Sequence, residues 1–314
     1  MWRPFVLTLV IVLCPELALR RAVAQQADSG PPSLPVAGEE TFDAIARFYD
    51  YDPSIPLQPR VLERTNGDTS IREKIVFRGV RGFLASGYFE APQKSGRPMP
   101  LVLLLHGWSG SKDSWWQDGG YISGGDMRKA LLKAGYAVLA LDAPTHGDRI
   151  AENDYALVND LRDEGRPNHR NYFTLSEIVV QGTRDYRRAL DYVQTREEID
   201  PKRVGVIGYS MGALQTFILT AVEPRIRVSV ACAVPSLAGE STSIAPQDYA
   251  RGSGDRPFLM LMGREDKMGH PQHAGQLFEL IPSVEKDLIL FDAGHKLPVD
   301  YVTDATAWFD AHLK

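Results

Sequence analysis

The chain has 314 residues, 44% hydrophobic and 24% charged, with a formal net charge of -5. This is ordinary globular usage, sufficient for one large α/β core without a second domain. No broad basic field is present, so a nucleic-acid partner has no compositional support.

The first 24 residues read as a signal peptide. Arg3 supplies a short basic region, Phe5 to Cys14 is apolar apart from Thr8, and Ala22-Val23-Ala24 offers an A-x-A cleavage site. The apolar run is too short to span a bilayer. Arg20 and Arg21 are untypical so close to a cleavage site, and an uncleaved membrane anchor is the alternative. Leu13 before Cys14 stands where lipidation needs a small residue. The expected mature protein is exported (periplasmic or secreted) and has no stable membrane association. Its one remaining cysteine, Cys232, lies in an apolar strand as a core residue.

Residues 25–70 form a leader and N-terminal extension, Pro- and Ser-rich at first. Helical spacing of Phe42, Ile45, Ala46 and Phe48 follows, then an extended stretch to Arg60. Residues 71–314 form the expected catalytic domain. It opens with a strand pair at 71–79 and 82–91. Continuous apolar runs then recur at 101–105, 136–141, 204–207, 228–234, 258–262 and 288–291, as in strands buried on both faces of a parallel sheet. Helical stretches at 126–133, 175–195, 211–221, 274–280 and 299–313 separate most of them. The alternation predicts an α/β fold: a mostly parallel, doubly wound sheet with an antiparallel N-terminal strand pair. Functional groups are then expected at the carboxyl ends of the parallel strands.

The polar residues fall there. Gly208-Tyr209-Ser210-Met211-Gly212 stands between an apolar run and a helix, which is the setting of a nucleophile elbow. The run at 258–262 ends in Gly263-Arg264-Glu265-Asp266, and that at 288–291 in Asp292-Ala293-Gly294-His295. A serine hydroxyl is a poor nucleophile without a base, histidine is that base near neutral pH, and a carboxylate fixes the imidazole tautomer. Ser210, His295 and Asp266 are therefore the candidate catalytic residues, in the chain order expected of this sheet. Glu265 is the alternative acid, His312 in the terminal helix a decoy, and Asp292 a local salt-bridge partner. The candidate oxyanion donors are the backbone N–H groups of Met211 and Trp108.

The H-G-W-S-G turn after Leu105, the D-A-P-T-H-G-D-R segment after Leu141, the G-Y-S-M-G elbow, the G-R-E-D loop and the A-G-H ending together resemble α/β-hydrolases. The likeness is to dienelactone-hydrolase-like and prolyl-oligopeptidase-like esterases, over residues 71–314. It implies the second oxyanion donor at Trp108, the residue after His106-Gly107. It also implies that His106 and His146 buttress loops rather than bind metal. The chain departs from dienelactone hydrolases in having serine as nucleophile, and it has no propeller domain to gate peptides. His270 and His273 begin a helix, and Pro271 makes a shared ligand face awkward. No metal and no cofactor are expected.

Trp108 and Tyr209 are candidates for lining a substrate site, with Trp115 and Trp116 divided between that role and packing. The polar stretches 148–170 and 235–255 are too hydrophilic for a lipase lid. The expected activity is therefore a serine carboxylesterase acting on small ester substrates with short or medium acyl chains. A peptidase, amidase or acyltransferase would use the same triad, and a silent binding protein would keep the same fold. Oligomeric state is not readable.

Overall fold

Met99–Leu105 (β4) is buried at every position, and its side chains divide by parity between two cores. Val102 and Leu104 join one cluster, and Leu101, Leu103 and Leu105 another on the opposite face. A strand covered on both faces needs no polar alternation, which is why its sequence is a continuous apolar run. The structure is a computed structural model describing residues 34–93, 97–153, 173–237 and 242–314. The expected signal peptide, most of the leader and most of the polar stretch 148–170 lie outside those residues.

Around β4 the described residues form a nine-stranded sheet. Arg60–Asn66 (β1), Ser70–Arg78 (β2) and Leu84–Pro92 (β3) form an antiparallel ribbon. β3 pairs antiparallel with Ala137–Leu141 (β5), which pairs parallel with β4. On the other side of β4, Ile199–Tyr209 (β6), Ile226–Cys232 (β7), Phe258–Gly263 (β8) and Lys286–Phe291 (β9) follow in parallel register. The predicted N-terminal pair is thus β2 and β3, joined by a third strand. β1 is exposed along its whole length, so it has no buried face to impose a hydrophobic pattern. Because β4 connects outward to β5 and the chain then returns past it to β6, the sheet reverses its winding there. That reversal opens a crevice at the carboxyl ends of β4 and β6.

Helices cover both faces. Gly124–Lys133 (α1) and Tyr301–His312 (α2) bring Met127, Leu131, Tyr301 and Phe309 to the face carrying Val102 and Leu104. Leu175–Val193 (α3) brings Tyr186, Ala189 and Leu190 to the other. Thr174 caps α3 in a reciprocal box, accepting from the Glu177 backbone while the Glu177 carboxylate accepts from the Thr174 N–H. Met211–Val222 (α4) is buried over its first ten residues, which explains its apolar composition all round. No helix among the described residues is long and apolar enough to cross a membrane.

Candidate active site

The turn between β6 and α4 is strained. Ser210 has φ 56° and ψ -116°, a left-handed setting that a non-glycine residue tolerates only when its surroundings enforce it. The enforcement comes from close packing at the flanking glycines. A Cβ on Gly208 would stand 2.0 Å from the Gly212 carbonyl oxygen, and one on Gly212 would stand 2.2 Å from that of Leu105. Only glycine lets the helix start this close to the sheet. The Ser210 N–H donates to the Cys232 carbonyl at 2.9 Å, tying the elbow to β7.

Ser210 Oγ is 2.9 Å from His295 Nε2, and His295 Nδ1 is 2.8 Å from Asp266 Oδ2. These three side chains come from the ends of β6, β8 and β9. The other Asp266 oxygen accepts from the Met268 and Gly269 N–H groups at 2.8 and 3.1 Å. Burial pushes the Asp266 carboxyl upward, but the hydrogen bonds from His295 and the two amides outweigh it and hold it below the ordinary carboxylate range. A carboxylate kept ionised this way fixes the Nδ1–H tautomer and leaves Nε2 free to take the serine proton. Glu265 is exposed, and its backbone N–H bonds the Ala293 carbonyl. Asp292 pairs with Arg264 at 3.0 Å in an exposed position, and His312 stacks on Trp308 within α2.

Two buried histidines hold the loop after β4. His106 Nε2 accepts from the Ala143 N–H at 2.9 Å, so its proton sits on Nδ1, 2.8 Å from the Gly107 carbonyl. In a trans peptide the C=O and N–H point opposite ways, so anchoring Gly107 O turns the Trp108 N–H away from the ring. His146 Nε2 lies 2.6 Å from the Trp108 carbonyl, anchoring the next peptide, and its Nδ1 lies 2.8 Å from the Pro144 carbonyl. Burial drives the His106 pKa down to about 3, with His146 adding to it, and burial also lowers that of His146. His106 is therefore an uncharged support. At the helix start, Met211 N–H has no carbonyl one turn back to bond. His270 Nδ1 accepts from the Gln272 N–H at the start of the helix Pro271–Glu279, and His273 Nδ1 is 2.7 Å from Ser236 Oγ.

Beneath the D-A-P-T-H-G-D-R segment lies an ionic cluster that sequence reasoning did not find. The fully buried Lys112 ammonium meets Asp142 and Asp148, each at 2.8 Å, and lies 4.8 Å from the Tyr88 ring centre. Burial pushes the Lys112 pKa down, but the two carboxylates outweigh it and raise it above its ordinary range. Lys112→Met would strand the Asp142 carboxylate without its cation. Urea unfolding should then show a loss of about 3–5 kcal/mol, and a loss under about 1 kcal/mol would remove the cluster from the stabilising account.

A cavity of about 580 Å³ opens onto Ser210 and His295, lined also by Trp108, Gln117, Tyr121, Ile122, Tyr209 and Met268. Trp115 is fully buried in the core. Trp116 donates from Nε1 to Glu90 at 2.6 Å and packs edge-on to Tyr88; neither tryptophan lines the cavity. Gln117, Tyr121, Ile122 and Met268 went unnoticed in the sequence. Their position in loops leaving the carboxyl ends of β4 and β8 was the available signal.

A model of the alpha/beta hydrolase family matches residues 102–259, and the chain belongs to that family. It is 29% identical over 240 residues to "Putative hydrolase YtaP" of Bacillus subtilis (strain 168), covering 67% of this chain and 72% of the relative. Esterase YjfP of Escherichia coli (strain K12) is 21% identical over 247 residues, 69% of this chain and 90% of that one. An acetyl xylan esterase from Paenibacillus sp. R4 superimposes with a TM-score of 0.67 at 17% identity, covering 90% of this chain and 97% of the other. At that identity the structural likeness bears on the fold alone.

Proposed function

We propose that the protein is a serine carboxylesterase acting on uncharged esters with short or medium acyl chains. The observation that carries this reading is the unbroken hydrogen-bond chain from Ser210 through His295 to Asp266, at the floor of an open cavity. Ser210 Oγ attacks the ester carbonyl as His295 Nε2 takes its proton. The carbonyl oxygen becomes an oxyanion facing the Met211 and Trp108 N–H groups. Collapse expels the alcohol, which receives the proton from His295, and leaves an acyl-serine. Water, deprotonated by His295, then releases the acid. The triad needs no metal or cofactor for these steps.

No Asp, Glu, Lys or Arg is among the described residues lining the cavity, so a charged group on either half of the ester would be desolvated without a partner there. The relative named as an esterase agrees with this choice over peptide cleavage. Initial rates of the purified protein on p-nitrophenyl esters from acetyl to palmitoyl test it. Rates should be highest for the shorter acyl chains and fall steeply towards palmitoyl. A maximum at palmitoyl, or no hydrolysis of any chain by folded protein, would contradict it.

A further inference from the structure

Tyr209, immediately before the proposed nucleophile, spans the loop that carries His295. Its hydroxyl donates to the His295 carbonyl at 2.8 Å and accepts from the Leu297 N–H at 2.8 Å. The residue is 1% exposed. Burial raises the phenol pKa, so the hydroxyl stays protonated and keeps both its donor and its acceptor capacity. No apolar ring can replace it, and no carboxylate or ammonium offers both capacities in that volume.

The ring is fixed as tightly as the hydroxyl. It meets the rings of His295 and Tyr301 edge-on at 6.2 Å each and that of Tyr121 at 6.5 Å. Tyr301 in turn donates to the Ile122 carbonyl at 2.5 Å, and Ile122 lines the cavity. Tyr209 therefore connects three things in one rigid unit: the strand that ends in Ser210, the backbone on both sides of the imidazole, and the core beneath the cavity wall. Asp266 fixes the His295 ring through Nδ1, but it does not fix the distance from that loop to β6. The Tyr209 hydroxyl joins those two elements directly.

We propose that Tyr209 is a positioning residue, which sets the His295 to Ser210 distance by clamping the histidine loop to the nucleophile strand through both functions of its hydroxyl. This rests on the triad reading above. It also gives the Tyr209 hydroxyl a role distinct from substrate binding, because both of its hydrogen bonds go to protein backbone groups. Loss of the clamp should loosen proton transfer while leaving the binding surface intact. Misplacement on the order of 1 Å costs about 100-fold in rate, and partial loosening costs less.

The test compares Tyr209→Phe with Ser210→Ala and His295→Ala on p-nitrophenyl acetate. Tyr209→Phe keeps the ring and removes only the hydroxyl. Its kcat is expected to fall about 10- to 100-fold, with KM held within about twofold. A kcat within about twofold of the parent, or a KM rise that accounts for the whole loss, would overturn the inference. If Ser210→Ala and His295→Ala retain activity, the triad reading fails and the inference with it. If those two are inactive while Tyr209→Phe is fully active, the inference alone fails. Should Tyr209→Phe not fold, amide hydrogen exchange on the parent protein decides instead. The Leu297 N–H should exchange far more slowly than that of the exposed Val299, and equal rates would overturn the clamp.

Discussion

Ser210→Ala is expected to lower kcat for a short-chain ester by roughly 10⁴- to 10⁶-fold, with the protein still folded. The size follows from what is removed. Without Oγ there is no acyl-enzyme, and only the oxyanion donors and binding are left to help water attack directly. Alanine keeps a Cβ at the strained backbone position (φ 56°), so the substitution does not relieve the turn. The His295 Nε2 it exposes faces the cavity. Circular dichroism and a melting curve close to the parent's would accompany the kinetic loss. A loss under about tenfold would mean that another group supplies the nucleophile.

Asp266→Asn is expected to lower kcat by about 10⁴-fold, because an amide nitrogen facing Nδ1 favours the tautomer with its proton on Nε2, the wrong nitrogen for accepting from serine. Glu265→Gln, one residue away and exposed, should leave kcat within about twofold. If the two variants behave the other way round, the acid is Glu265. The same substitution has a stability consequence with a definite sign. Asp266 has a folded pKa below its unfolded one, so it stabilises the fold at pH above the unfolded value, about 3.9. That contribution is lost as pH falls through the depressed folded value. The parent should therefore lose stability more steeply than Asp266→Asn below about pH 4, as measured by urea unfolding across pH. Parallel stability curves would contradict the assigned direction.

How much of this was legible depended on whether a structural constraint leaves a mark on neighbouring residues. β4, β5 and β8 are buried at every position, so each left an apolar run that no loop imitates. The elbow was legible because Gly208 and Gly212 are both required by close backbone approach, on either side of one serine. β1 was illegible: an edge strand with every residue exposed is held by backbone hydrogen bonds, and these carry no side-chain signature. Its Val61 and Leu62, both half exposed, would suit a loop as well.

The candidate site divides along the same line. Ser210, Asp266 and His295 follow strand ends, so chain order located them. A place three residues after the strand-ending Gly263 favours Asp266 over the adjacent Glu265 in the sequence, and in the structure it is the Asp266 carboxylate that meets the His295 ring. Lys112 reads as an ordinary solvated lysine until Asp142, 30 residues later, folds over it. Tyr209 was noticed as a wall of the substrate site. Its hydrogen bonds reach residues 86 and 88 positions away, which no short motif encodes. Aromatic content near a catalytic motif points equally to a pocket wall and to a clamp.

The most direct measurement is the site of covalent modification by an ester-mimicking fluorophosphonate, read by intact mass and then by peptide mapping. A phosphonyl group transferred to a nucleophile cannot be hydrolysed as an acyl group is, so it marks the atom that attacks. A single adduct on the peptide containing Ser210, absent from both Ser210→Ala and His295→Ala, is the predicted result. Folded protein that takes up no label, or that carries the label on a different residue, would contradict the account of Ser210 as a nucleophile activated by His295.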